Sequence, residues 1–163
     1  MSTNTTRLTT PRLILRTWTA DEATTVTRGA RAPQWADDFP SEGDHLIAGF
    51  ITEHPGTTLG EYGQRLIIER GSGQVIGAIG LFWPPAGGVL EIGYGIVASR
   101  RGRGYATEAT RAMTEHALTA PGVHTVTAGV DLTNPASARV LDKCGFHHWT
   151  TEDQTARYRF IRT

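Results

Sequence analysis

Cysteine is nearly absent from this chain: Cys144 is the only one among 163 residues. No intramolecular disulfide can form and no cysteine-built metal site can be assembled, so stability has to come from a packed core. Lysine is equally scarce, with Lys143 standing beside fifteen arginines, and arginine favours planar, two-point contacts to carboxylate or phosphate. An excess of either charge is missing too. Sixteen basic and 16 acidic side chains give a formal net charge of zero, which leaves no global field for nucleic acid or an anionic membrane, so any anion site must be local. No apolar run approaches the roughly 20 residues that span a bilayer. The opening residues 1–7, MSTNTTR, lack a basic start and an apolar stretch, so no secretory signal is read there and a cytoplasmic location is expected. The six histidines are scattered, and His147 and His148 on one strand would face opposite ways, so no metal site is expected.

What is present is the composition of a globular domain, 39% hydrophobic and 20% charged. No repeat or low-complexity linker divides it, and residues 1–163 read as one domain. After Pro11, residues 13–15 suit a first strand near an edge. Thr19 is placed to cap a helix that ends near Gly29, and residues 30–45 read as loop. A short helix is expected over 45–54, closed by Pro55. Strands at 65–70, 74–83 and 89–97, separated by turn residues, form a meander. A helix over 106–118, a strand over 124–130 and a helix over 135–144 with Asn134 as N-cap follow. The stretches 146–149 and 156–161 supply one or two closing strands. The class is α+β.

The segment 100–106 lies between a strand and the clearest helix. Gly102 and Gly104 let backbone N–H groups turn toward one anion at the helix N-terminus, and Arg100, Arg101 and Arg103 add charge for a pyrophosphate. A solvated Gly/Arg turn that merely caps the helix is the competing reading. GxxxxGK[ST] is absent, and Gly102, Gly104 and Thr107 do not complete GxGxxG, so the usual NTPase and dinucleotide fingerprints are excluded.

The spacing Arg101, Gly104, Ala106 resembles the coenzyme A-binding motif of the GNAT superfamily of acetyltransferases. The run from Gly104 to Ala109, preceded by Glu91-Ile92-Gly93-Tyr94, resembles the RimJ/RimL branch, which acetylates ribosomal-protein N-termini, and so does the opening run 10–16. A third match, Asn134, Ser137, Leu141, Lys143, Gly145 and Phe146, reads like that family's last helix and turn. The resemblance implies a mixed, mostly antiparallel central sheet of roughly six to seven strands flanked by about four helices and splayed between its two central strands. It implies acetyl-CoA as co-substrate, no metal, and direct transfer of acetyl to a primary amine.

Splaying is expected near 94–98, with pantetheine paired to main chain at Ile96 and Val97, phosphates held by Arg101, Gly102, Arg103, Gly104, Tyr105 and Ala106, and Asn134 and Ser137 facing the pantetheine and sulfur. An N–H at Tyr94 or Gly95 is placed to steady the oxyanion. Glu91 is the candidate base, provided that Gly93 and Gly95 form a bulge that turns it toward the acceptor. Leu141 stands where many members carry the tyrosine that protonates the leaving thiolate, and Ser137 is the alternative donor. Trp35, Asp37 and Asp38, in the loop between the first helices, are candidates for the acceptor site because their carboxylates would attract a cationic amine. The acceptor is read as a peptide N-terminus, with a small-molecule amine such as an antibiotic or polyamine as the second reading and a non-catalytic acetyl-CoA-binding module as the third. Homodimerisation through a sheet edge or the tail stays open. Cys144 reads as a packed thiol.

Overall fold

A computed structural model describes residues 7–162. It begins with a hairpin that the sequence reading halved: β1 (Arg7–Thr9) pairs antiparallel with β2 (Leu13–Thr17). Three residues are too few to carry a recognisable alternation. α1 (Ala20–Thr27) starts at Thr19 as expected, and with a full capping box, because Thr19 accepts from the Glu22 N–H and Glu22 accepts from the Thr19 N–H. α2 (Glu42–Glu53) starts three residues before the expected point. Ser41 and Asp44 form a second capping box there. Pro55, expected to close that helix, instead occupies the first turn of α3 (Pro55–Thr58), a position that suits its missing N–H.

β3 (Gln64–Glu69), β4 (Val75–Leu81) and β5 (Val89–Ile96) make the expected antiparallel meander. A single 3-10 turn at Ala98–Arg100 leads to α4 (Tyr105–Ala117). β6 (Thr125–Asp131) and α5 (Pro135–Lys143) follow within one residue of their expected bounds. β7 (His147–Glu152) and β8 (Thr155–Ile161) form a closing hairpin. The sheet runs β1-β2-β3-β4-β5-β6-β8-β7, all antiparallel except β5 against β6. Among the described residues, the eight strands and five helices exceed the expected numbers by β1 and α3.

Every residue of β4 is buried, as suits a strand covered on both faces. On one face lies α4, whose Ala109, Met113 and Ala117 recur every four residues and pack toward β2, β4 and β5. On the other lies α2, whose Phe50 meets Phe82, the ring that rests against Gly93. No helix of the described residues is long and apolar enough to cross a membrane.

The central pair positions the site. β5 and β6 pair only at Val89 with Thr125, Leu90 with Val126 and Glu91 with Thr127. Beyond Glu91 they part, so the gap opens at Ile92, slightly before the 94–98 expected. The β4/β5 ladder is continuous from Leu81↔Ile92 to Gly77↔Ile96. The bulge that Gly93 and Gly95 would permit therefore does not form.

Candidate active site

With no bulge, strict alternation decides where β5 points. The Phe82 N–H bonds to the Glu91 carbonyl and the Val97 N–H to the Ile76 carbonyl, so the odd-numbered residues of this strand turn their main chain toward β4. The even-numbered ones, Ile92, Tyr94 and Ile96, turn theirs into the gap. Of the two N–H groups expected to face a thioester, the one on Tyr94 faces the gap and the one on Gly95 faces β4.

A cleft of about 590 Å³ fills the space beside the gap. It is lined by Tyr94, Gly95 and Ile96 on one side, by Arg100, Arg101, Gly102 and residues 104–107 at its end, and by Asn134, Ser137, Arg139 and Lys143 of the α5 segment on the other. Gly102 and Gly104 have φ of +78° and +83°, a conformation that glycine adopts without a Cβ penalty. Gly104 is the N-cap of α4 and supplies no side-chain acceptor. Among the described residues, no backbone N–H from 102 to 107 donates a hydrogen bond, while the Glu108 N–H closes the first turn on the Gly104 carbonyl. The result is a set of free amides at the positive end of a 13-residue helix dipole, facing the cleft.

The loop is braced from behind by Glu69, a buried carboxylate that accepts from Ser72 Oγ at 2.6 Å, Tyr105 Oη at 2.8 Å and Arg100 Nε at 3.1 Å. These bonds, that from Ser72 foremost, hold its pKa down at about 2. Arg100 also donates to Gln74, and Arg103, half exposed, lies 3.6 Å from Glu69. Arg101 Nε donates to the Ile96 carbonyl. Glu108 accepts from Thr10 Oγ1, the Arg12 N–H and Arg12 Nε, which ties α4 to the first hairpin. Burial pushes its pKa up, but those bonds outweigh it and the net direction is down.

The other wall brings Tyr94 and α5 together. Asn134 Oδ1 accepts from the Ser137 N–H at 3.2 Å, the expected N-cap. The Tyr94 hydroxyl donates to the Ser137 carbonyl at 3.1 Å and lies 2.7 Å from Ser137 Oγ. Burial pushes the Tyr94 phenol up to about 12. Leu141 is fully buried in the core. Cys144 Sγ faces the Thr107 carbonyl and lines neither cavity of the central region, and burial raises its pKa.

Other expected site residues lie elsewhere. Val97 is buried with its N–H on Ile76, and neither it nor Arg103 lines the cleft. Glu91 is exposed, on the same face as Gly93 and Gly95, and lines no cavity of the central region. Trp35 is a core residue against Phe39, because an indole of that size gains most by burial. Asp38 holds the Ser99 N–H and hydroxyl, each at 2.9 Å, and Asp37 is solvent-exposed. Trp35, Asp37 and Asp38 do not come together at either central cavity. Sequence reading did not single out Arg139 and quoted Lys143 only as part of a motif, yet the signal was there: residues 136, 139, 140 and 143 recur on one face of α5. A second, smaller cavity lies across β5, under α2, and shares Tyr94 and Gly95 with the first.

Residues 12–147 match the family model described as the acetyltransferase (GNAT) domain. The chain belongs to the GNAT acetyltransferase family. An uncharacterized N-acetyltransferase of Bacillus subtilis, YjdG, is 30% identical over 82 residues, covering 50% of this chain and 49% of that protein. The chain spans about half the length of the curated relatives that it matches. Among solved structures, a GNAT-family acetyltransferase from Bacillus anthracis aligns with a TM-score of 0.69 and 17% identity, over 95% of this chain and 98% of that one. Mycobacterium smegmatis RimJ in complex with a CoA-disulfide aligns with a TM-score of 0.64 and 19% identity, over 91% and 81%. At these identities the structural likeness is one of fold.

Proposed function

We propose that the protein transfers acetyl from acetyl-CoA directly to a primary amine, with a peptide or protein N-terminus as acceptor and the cytoplasm as its place of action. The observation that carries this reading is the set of free amides at residues 102–107, at the end of a cleft that reaches the Tyr94 main chain. The residues fit the coenzyme. Glycines with positive φ and an uncapped helix end suit a pyrophosphate, Arg139 and Lys143 add positive charge, and the unpaired edge of β5 suits an amide-bearing pantetheine arm.

When bound, acetyl-CoA supplies an activated acetyl thioester. The Tyr94 N–H, facing the gap, is placed to donate to the thioester oxygen as charge develops. Ser137 Oγ, held by Tyr94, is the donor to the departing sulfur, and Leu141 has no part in it. The nearest thiol, Cys144, is turned to Thr107, which supports transfer without a covalent enzyme intermediate. Glu91 reaches the acceptor side only through water, since it is exposed and outside both cavities.

The reading is tested by incubating the protein with acetyl-CoA and a panel of peptides and amines, following free thiol and acceptor mass. Acceptor-dependent thiol release with a gain of one acetyl group is expected. Tight coenzyme binding with no acceptor consumed would leave only a coenzyme-binding module.

A further inference from the structure

The turn that joins β1 to β2, residues 10–12, lines no part of the cleft. It lies behind the glycine loop, where Pro11, Arg12, Glu69, Arg70 and Tyr105 border a shallow hollow of about 410 Å³. Tyr105 borders both the hollow and the cleft, so the loop stands between them. The turn is fixed at its base, because Arg70 donates its N–H to the Arg12 carbonyl and Nη1 to the carbonyls of Thr10 and Pro11. From there the Arg12 side chain makes three contacts at once. Its Nε pairs with Glu108 Oε1 at 2.8 Å, its guanidinium lies 4.6 Å from the centre of the Tyr105 ring, and its Nη1 donates to the Arg103 carbonyl at 2.9 Å.

The third contact reaches through the loop. A peptide unit is planar and trans, so its C=O and N–H point in opposite directions. The Arg103 carbonyl and the Gly104 N–H belong to one such unit, and holding the carbonyl from behind turns the N–H toward the cleft. Gly104, with φ of +83°, has no side chain that would resist rotation of that unit. We propose that Arg12 is a positioning residue for the coenzyme's pyrophosphate: through the Arg103 carbonyl it sets the direction of the Gly104 N–H, while Glu108 and Tyr105 hold Arg12 in place. This role rests on the acetyl-CoA reading and adds to it a residue that touches neither coenzyme nor acceptor.

Two substitutions separate positioning from simple attraction of an anion. Lysine keeps the charge of Arg12, but one ammonium does not hold a carboxylate, a ring face and a carbonyl together. Glu108 acts in two opposed ways, since its charge beside the N-terminus of α4 repels a phosphate while its grip on Arg12 favours one. Neutralising Glu108 therefore tightens phosphate binding if charge alone governs the loop, and loosens it if the direction of the Gly104 N–H does.

The test follows the Gly104 amide by proton–nitrogen NMR while coenzyme A, inorganic pyrophosphate and pantetheine, which has no phosphate, are titrated into the full chain. In the wild type, coenzyme A and pyrophosphate are expected to shift this amide downfield, as a new hydrogen bond to a phosphate oxygen does, and pantetheine is not. Arg12→Lys is expected to weaken coenzyme A and pyrophosphate at least about tenfold, with pantetheine within about twofold. Glu108→Gln is expected to weaken both phosphate ligands at least about threefold. Coenzyme affinity within about twofold of wild type in Arg12→Lys overturns the proposal, as does an equal loss for pantetheine. Unchanged or tighter coenzyme binding in Glu108→Gln overturns it too, and that variant decides alone should Arg12→Lys fold poorly. A wild-type protein that binds coenzyme A without moving the Gly104 amide also overturns it. A wild-type protein that takes pyrophosphate but no coenzyme A overturns the transferase reading instead, and the pyrophosphate titrations of the two variants still decide the role of Arg12.

Discussion

The Tyr94 hydroxyl lies 2.7 Å from Ser137 Oγ, across the cleft between β5 and α5. The pair bridges the two walls where the central strands have parted. Ser137 belongs to the first turn of α5, and Tyr94 fixes its hydroxyl from a rigid strand. Tyr94→Phe is expected to lower kcat about tenfold and Ser137→Ala about a hundredfold, within the usual range for a positioned proton donor, with the KM for acetyl-CoA within about threefold. Equal loss in KM and no loss in kcat would assign the pair to coenzyme binding alone.

The phenol of Tyr94 stays protonated because burial holds its pKa near 12, above the ordinary value of 10. Its donor form is therefore present throughout the range below that value. The kcat profile of the wild-type enzyme should show no fall between about pH 8 and 10 from loss of this proton. A descending limb in that window that Tyr94→Phe removes would contradict the assignment.

Glu69 gives a stability prediction with a sign. Its pKa is lowered from 4.5 to about 2 in the folded state, so its contribution is present above the unfolded value and is lost as pH falls from there toward 2. Thermal melts of the wild type should lose stability through that window, and Glu69→Gln should lose less. At pH 7, Glu69→Gln should cost about 1–3 kcal/mol, since Arg100 and Tyr105 lose a buried charged acceptor, and should weaken coenzyme binding because both residues line the cleft.

Gly104→Asp places an anion on the uncapped end of α4, at a φ of +83° and with the Arg12 guanidinium 3.3 Å from the new Cβ. Coenzyme affinity should fall at least about tenfold, with Gly104→Ala intermediate. Retained affinity in the aspartate variant would move the phosphate site elsewhere.

Gly77 has a different reason to be glycine. A Cβ there would stand 2.2 Å from the Gly95 carbonyl oxygen, which is main chain and cannot swing away. Gly77→Ala should destabilise the fold by about 1–3 kcal/mol and lower turnover by displacing the β5 segment shared by both cavities. A melt within a degree of wild type would show that β5 gives way freely.

The parts of the fold legible in sequence are those set by near neighbours along the chain. Thr19 and Asn134 announce their helices because the atoms they cap lie within three residues. The glycines before α4 announce its free end for the same reason. Pairings such as Tyr94 with Ser137, or Glu69 with Tyr105, join residues 43 and 36 positions apart, and a two-residue alternation gives the face of a strand without naming what stands opposite. Trp35 and Asp38 were misplaced by the same gap: loop membership says nothing of the core beneath the indole or of the Ser99 turn that the carboxylate holds. The Ser41–Asp44 capping box was readable, and reading it would have led to the second cavity.

Three residue pairs are all that join β5 to β6, so the five-stranded and three-stranded parts of the sheet meet like the leaves of a book bound at one end. Helix packing and the Tyr94–Ser137 bridge hold the free end. A ligand that hydrogen-bonds along β5 would stitch the leaves together over their unpaired length. Coenzyme binding should therefore slow hydrogen exchange in β6 and β8, outside the proposed contact, as well as in β5, along which that contact is proposed.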